Sequence, residues 1–121
     1  PYPIRPGLLT ATAIFAQAAK EAGIEAIANK SQISARREAK SHAAREHWLA
    51  ESSIGQAPSS HLRPTFFAEW LLYHATDIRE GTVALPLDPA ALHAPIPAED
   101  QSLVIAAILE NPEPHKGQKK E

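Results

Sequence analysis

Leu8, Ala11, Ile14, Phe15, Ala18 and Ala22 recur at three- and four-residue spacing, the period of one helix face. Gly23 follows where a left-handed C-terminal cap belongs, so the pattern predicts a helix over 8–22. Ile24-Glu25-Ala26-Ile27-Ala28-Asn29 then reads as a short strand, its β-branched residues diluted by alanine. A polar stretch, 31–40, leads into a second predicted helix over 41–51. Gly55 and Pro58 mark the next loop, and 59–63 forms the following strand, which Pro64 stops because its ring has no N–H for a ladder.

Beyond Pro64 the pattern shortens. A short helix is predicted over 66–74, with Phe66, Phe67, Trp70, Leu71 and Tyr73 supplying bulk, and a strand over 82–85. A proline-punctuated loop runs to Pro97. The last helix carries the most complete set of end signals, with Pro97 near its first turn, Glu99 and Asp100 at its positive end, and Asn111-Pro112 as its stop. Leu103, Val104, Ala107 and Ile108 give it one apolar stripe. Residues 113–121 are polar and expected to form a disordered tail behind a single domain, 1–112. Helix, glycine and strand in alternation predict an α/β fold, a parallel sheet with flanking helices.

Composition narrows the function. At 121 residues with 44% hydrophobic content, the chain has the size of one globular domain. A net charge of −2 supplies no field to recruit nucleic acid or an anionic membrane, so neither partner is expected. The absence of cysteine excludes disulfides, thiolate nucleophiles and Cys-ligated metals. The six histidines show neither H-x-x-x-H nor H-E-x-x-H spacing, and no metal site is expected. No apolar run reaches the ~18–20 residues of a membrane span, which makes the cytoplasm the expected location. The chain begins at Pro1 and has no methionine, as expected of a processed chain or a segment of something longer.

His61-Leu62-Arg63-Pro64-Thr65-Phe66-Phe67-Ala68-Glu69-Trp70, with His93-Ala94-Pro95-Ile96-Pro97-Ala98-Glu99-Asp100 downstream, resembles the NmrA-like family. These NAD(P)-binding proteins are related to atypical short-chain dehydrogenases and include quinone reductases and redox-sensing regulators. Tyr2-Pro3 resembles the loop after the fourth strand of that fold, and 16–23 the helix that follows it. Ser31 falls at the end of the fifth strand, 47–51 on the helix beside the cofactor, and 93–100 on the segment returning to the nucleotide-binding core. The resemblance implies a partial Rossmann-like sheet whose glycine-rich first half is absent. It further implies NAD or NADP as cofactor and, as activity, NAD(P)H-dependent reduction of a quinone or similar small conjugated acceptor.

On that resemblance, Tyr2, Pro3, Ser31, His47, Pro64, Thr65 and Phe66 contact the cofactor. His47 and Ser31 are the catalytic candidates, orienting cofactor or acceptor, and Phe66, Phe67 and Trp70 wall the acceptor pocket. Each has a plainer reading: His47 as a helix-surface histidine, Ser31 as a strand-end serine bonding backbone, the aromatics as core. Arg36, Arg37, Lys40 and Arg45 form a basic cluster that could meet a phosphate, but Glu38, Glu46 and Glu51 dilute it towards a solvated helix face.

Three departures qualify the resemblance. The five glycines, Gly7, Gly23, Gly55, Gly81 and Gly117, build no G-x-G-x-x-G turn, so the usual pyrophosphate anchor is missing. The lysine of the usual Tyr-x-x-x-Lys pair falls on His47 and its tyrosine on Ala43. The loop at 53–60 and the region 73–79 are shorter than in the family. Two alternatives therefore stand beside the reductase. One is a non-catalytic redox-sensing or regulatory protein, and the other a truncated chain acting only through assembly, as a homo-oligomer or with a missing N-terminal half.

Overall fold

The structure is a computed structural model that describes residues 7–85, 88, 90 and 92–121. Its elements run α1 (Leu8–Glu21), β1 (Ile27–Lys30), α2 (His42–Ile54), β2 (Ser59–Leu62), a 3-10 helix (Ala68–His74), α3 (Ala75–Arg79), α4 (Ala98–Glu110), a 3-10 turn (Glu113–His115) and β3 (Lys119–Lys120). The three strands form one parallel sheet in the order β1-β2-β3. The α/β class read from the alternation is the class observed, a partial Rossmann-like arrangement with helices flanking the sheet.

Gly23 ends α1 as its position predicts. With φ at 66° it lets Ile24 N–H reach Ala19 O (3.0 Å) while its own N–H bonds Lys20 O (3.2 Å), the paired bonds of a Schellman cap. Ile24 is spent in that cap, which is why β1 begins at Ile27 rather than at 24. The buried face of α1 is Thr12, Ala16 and Ala19, not the stripe drawn through Ile14 and Phe15, which are 65% and 53% exposed. Small side chains let α1 approach α2 and β1 closely, and the bulkier residues cannot follow. Ala19, Ile27, Ile54 and Ala57 make the core where α1, β1 and α2 meet.

β1, α2 and β2 form a parallel crossover unit, with Ile27 opposite Ser59 and Asn29 opposite His61. Past β2, Phe67 bridges Ile96: Ile96 N–H donates to Phe66 O and Ala68 N–H to Ile96 O, both at 3.1 Å. The short helix expected over 66–74 is a 3-10 helix over Ala68–His74, and the strand expected over 82–85 is absent, those residues being irregular. α4 starts and stops where Pro97 and Asn111-Pro112 indicate. Its first amide is held by another element, Ala98 N–H donating to the Glu69 carboxylate at 2.9 Å. That bond draws the Glu69 carboxyl below its ordinary range.

The polar tail also departs from expectation. Residues 113–121 were expected to be disordered, yet they carry a 3-10 turn and β3, which lies parallel to β2 with His61 opposite Lys119 and Leu62 opposite Lys120. Apolar content is a poor guide here, because main-chain hydrogen bonds and charge pairs attach this segment. Among the described residues, no helix is long and apolar enough to cross a membrane.

Candidate functional site

Side chains alternate faces along a strand, so the register aligns Ile27 with Ser59, Asn29 with His61, and, one step beyond the strands, Ser31 with Arg63 on one side of the sheet. Ile27 touches the α1–α2 core, which identifies this as the helix-covered side. Below Ile27 the covered face is polar. α2 lowers Glu51 into it, and with a side chain 1% exposed Glu51 is the most deeply enclosed large residue described.

Arg63 grips that carboxylate with two nitrogens, Nε to Oε1 at 2.8 Å and Nη2 to Oε2 at 2.7 Å, the fork geometry suited to guanidinium. Lys119 Nζ adds a contact at 3.0 Å, and Arg63 Nη1 also donates to Glu121 at 3.2 Å. Burial by itself would raise the Glu51 pKa, but hydrogen bonds from Arg63, with Ser31 and Lys119 contributing, bring it down to about 2. Arg63 is raised in turn, chiefly by its hydrogen bonding to Glu51.

His61 lies next in the cluster, 4% exposed, with Nδ1 3.0 Å from Asn29 Nδ2. With the amide nitrogen as donor, Nδ1 accepts and the ring proton sits on Nε2, the neutral tautomer. Burial pushes the His61 pKa down; Glu51 opposes this, while Lys119 and Arg63 add to it.

These shifts set an acid limb with a definite sign. A histidine depressed on folding costs nothing above its ordinary 6.5, and stability is lost as pH falls from there through the lower folded value. Glu51 contributes stability that is full above its ordinary 4.5 and lost as pH falls through about 2. Urea midpoints should therefore slope down as pH falls below 6.5 and steepen below 4.5. His47, whose pKa burial also lowers, shares the upper limb, so His61→Gln should make that limb shallower without abolishing it; an unchanged profile in that variant would exclude His61 as a source.

The residues expected at a site divide into three groups. Tyr2 and Pro3 lie outside the described residues. Ser31, Pro64, Thr65 and Phe66 are brought together at the carboxyl ends of β1 and β2: Ser31 N–H donates to Leu62 O (2.8 Å), and Ile33 N–H to Pro64 O (3.0 Å). The Thr65 hydroxyl donates to Ala94 O, tying the segment before α4 to this end of the sheet. The Ser31 hydroxyl is buried beside Glu51, near enough to favour its charge, yet it makes no well-formed hydrogen bond of its own.

His47 stands apart, half-buried on α2, with no hydrogen bond to Ser31 or Thr65. Burial lowers its pKa, with Glu51 and Glu46 opposing, so the ring is neutral near pH 7. The aromatic trio separates as well. Phe66 meets Trp70 edge-on at 5.5 Å and lies 6.5 Å from His93, whereas Phe67 sits beneath the Lys30 ammonium, 3.7 Å from its ring centre. Concavities of about 360 and 570 Å3 lie elsewhere. Ala11, Phe15, Ile27 and Ile54 help line the smaller, and Ala13, Ile14, Leu49 and Gln56 the larger. Among the described residues, no group of three or more His, Asp or Glu could hold a metal.

The cluster around Glu51 was not anticipated. Glu51 was read with the solvated face of α2, whereas Arg36, Arg37, Lys40 and Arg45 are exposed as that reading requires. One sequence signal was available. Ala44, Glu51 and Ile54 keep helical phase and all are buried, so Glu51 is a charge inside an apolar stripe. A charge in that position calls for a partner, and only the tertiary fold identifies it as Arg63.

No protein-family model matches the chain, and no curated protein sequence matches it at a significant level.

Proposed function

We propose that this chain is a dinucleotide-binding module of NmrA-like type that holds NAD or NADP at the carboxyl ends of β1 and β2 without turning it over. The observation that carries the reading is the convergence of Ser31, Pro64, Thr65 and Phe66 with the 92–96 segment at that end of a parallel sheet. Open α/β sheets take ligands outside the carboxyl ends of their strands. The fit is one-sided. The Ser31 hydroxyl, which lies beside Glu51 without a well-formed hydrogen bond, suits the carboxamide of a nicotinamide, and the Phe66 ring offers a flat neighbour. The pyrophosphate finds no glycine turn. Affinity then rests on the nicotinamide end and is weaker than in folds that keep the turn.

Binding without turnover is favoured because Ala43 stands where the family's tyrosine would donate a proton, and because burial keeps His47 neutral. Bound NAD(P)H would supply a hydride; reduction of a quinone would also need a proton donor beside the acceptor.

Titration of NADPH and NADH, followed by nicotinamide fluorescence, tests the reading. Saturable binding is expected, weakened about threefold to tenfold in Ser31→Ala, the range of one lost hydrogen bond. Quinone-dependent oxidation of NADPH would replace the binding module with the reductase. No binding up to millimolar cofactor would overturn both and leave assembly as the role.

A further inference from the structure

We propose that residues 118–121 are a salt-releasable strap that closes the outer edge of β2. Main-chain bonds attach it: His61 N–H donates to Gln118 O at 2.9 Å and Arg63 N–H to Lys120 O at 2.7 Å. Two charge contacts add to these, Lys119 with Glu51 at 3.0 Å and Glu121 with Arg63 at 3.2 Å.

Apolar burial is missing from that attachment. No residue from Glu113 to Glu121 is buried, and the only aliphatic side chain in the segment is Pro114. Each main-chain bond contributes about 1 kcal/mol net, so the charges decide whether the strap stays down. Their outer members are accessible to ions, with Lys119 and Glu121 side chains 45% and 57% exposed. Raising ionic strength from about 0.1 M to 1 M shrinks the screening length from about 10 Å to about 3 Å, the length of these contacts.

The root of the strap is held separately. Gly117 N–H donates to Ser59 O at 2.7 Å, and Ser60 Oγ to His115 O at 2.6 Å. Gly117, at φ 73°, provides a pivot that L side chains rarely adopt. Release therefore detaches residues 118–121 from β2 and leaves the turn before them in place. It unpairs the amides of His61 and Arg63, creating a strand edge to which another strand can add. The Glu51–Arg63 fork does not depend on the strap and survives its release.

Hydrogen exchange of single amides tests this on the full chain. His61 and Arg63 report on the strap, while Ile27 and Ser31, whose amides donate to Pro58 O and Leu62 O between β1 and β2, report on the sheet. Moving from 0.05 M to 1 M sodium chloride should speed exchange at His61 and Arg63 about fivefold relative to Ile27 and Ser31, the ratio expected for losing about 1 kcal/mol of charge pairing. Lys119→Gln with Glu121→Gln should reproduce that acceleration at low salt and abolish the response to added salt. Equal acceleration of all four amides, or no salt response in the unaltered chain, would overturn the proposal.

Discussion

Arg63→Ala is expected to destabilise the domain by about 3 kcal/mol, the lower end of the range for removing one partner from a buried ion pair. The loss arises from what stays behind. Glu51 is enclosed by protein, and without the guanidinium it keeps only Lys119 as a charged partner. The carboxylate must then accept a desolvated charge or take up a proton. The lower end applies because Lys119, 3.0 Å from the carboxylate, still offsets part of its charge.

Replacing both partners separates that penalty from the net worth of the pair. Glu51→Leu with Arg63→Met removes the charges together and puts hydrocarbon of similar volume in their place. Such exchanges are commonly neutral or stabilising, and Lys119 and Glu121 reach solvent in any case. Urea denaturation of Arg63→Ala, of Glu51→Ala and of this double variant checks the argument. Strong loss in each single variant with little in the double would locate the cost in the orphaned charge. If the double variant were as unstable as either single one, the cluster would be a net source of stability.

Ile54→Ala should cost about 2–3 kcal/mol, and Ile54→Val about 1 kcal/mol, from lost burial plus the cavity left behind. Ile54 is 5% exposed and is one of two isoleucines in a cluster completed by Ala19 and Ala57. Alanines have no side-chain length with which to fill the space. The shallow concavity against Ile54 allows some relaxation, which keeps the estimate below the top of the range. Phe15→Ala is the contrast, a larger truncation with an expected change within about 0.5 kcal/mol, because its ring is mostly in solvent. Equal losses at Phe15 and Ile54 would mean that the α1 face is covered in solution.

Several features were legible because they are local. A Schellman cap needs a glycine at one position, and Gly23 is there; α4 is bounded by Pro97, Glu99, Asp100 and Asn111-Pro112 for reasons confined to its own ends. Pro64 stops β2 by lacking a donor. Ser31, Pro64 and Thr65 were assigned to one site only through the family resemblance; the parallel register of β1 and β2 is what sets their carboxyl ends side by side.

What failed were judgments about which side of an element faces inward. Helical period on α1 is satisfied by a bulky stripe and by a small one, and packing distance selected Thr12, Ala16 and Ala19. Residues 113–121 looked like a solvated tail because their hydrocarbon content is low, while backbone donors on β2 and a buried carboxylate on α2 supplied attachments that composition does not register.

The α1-β1-α2-β2 alternation, the end signals of α1 and α4 and the α/β class follow from the sequence by itself, because each depends on neighbours a few residues apart. Only the tertiary structure decided that Glu51 turns inward, that Arg63 twelve residues later and Lys119 beyond α4 meet it, and that a polar segment adds a third strand to the sheet. The physical reason is range: capping and turning are settled within a few residues, whereas the cost of a buried charge is settled by whichever distant group the fold brings within 3 Å.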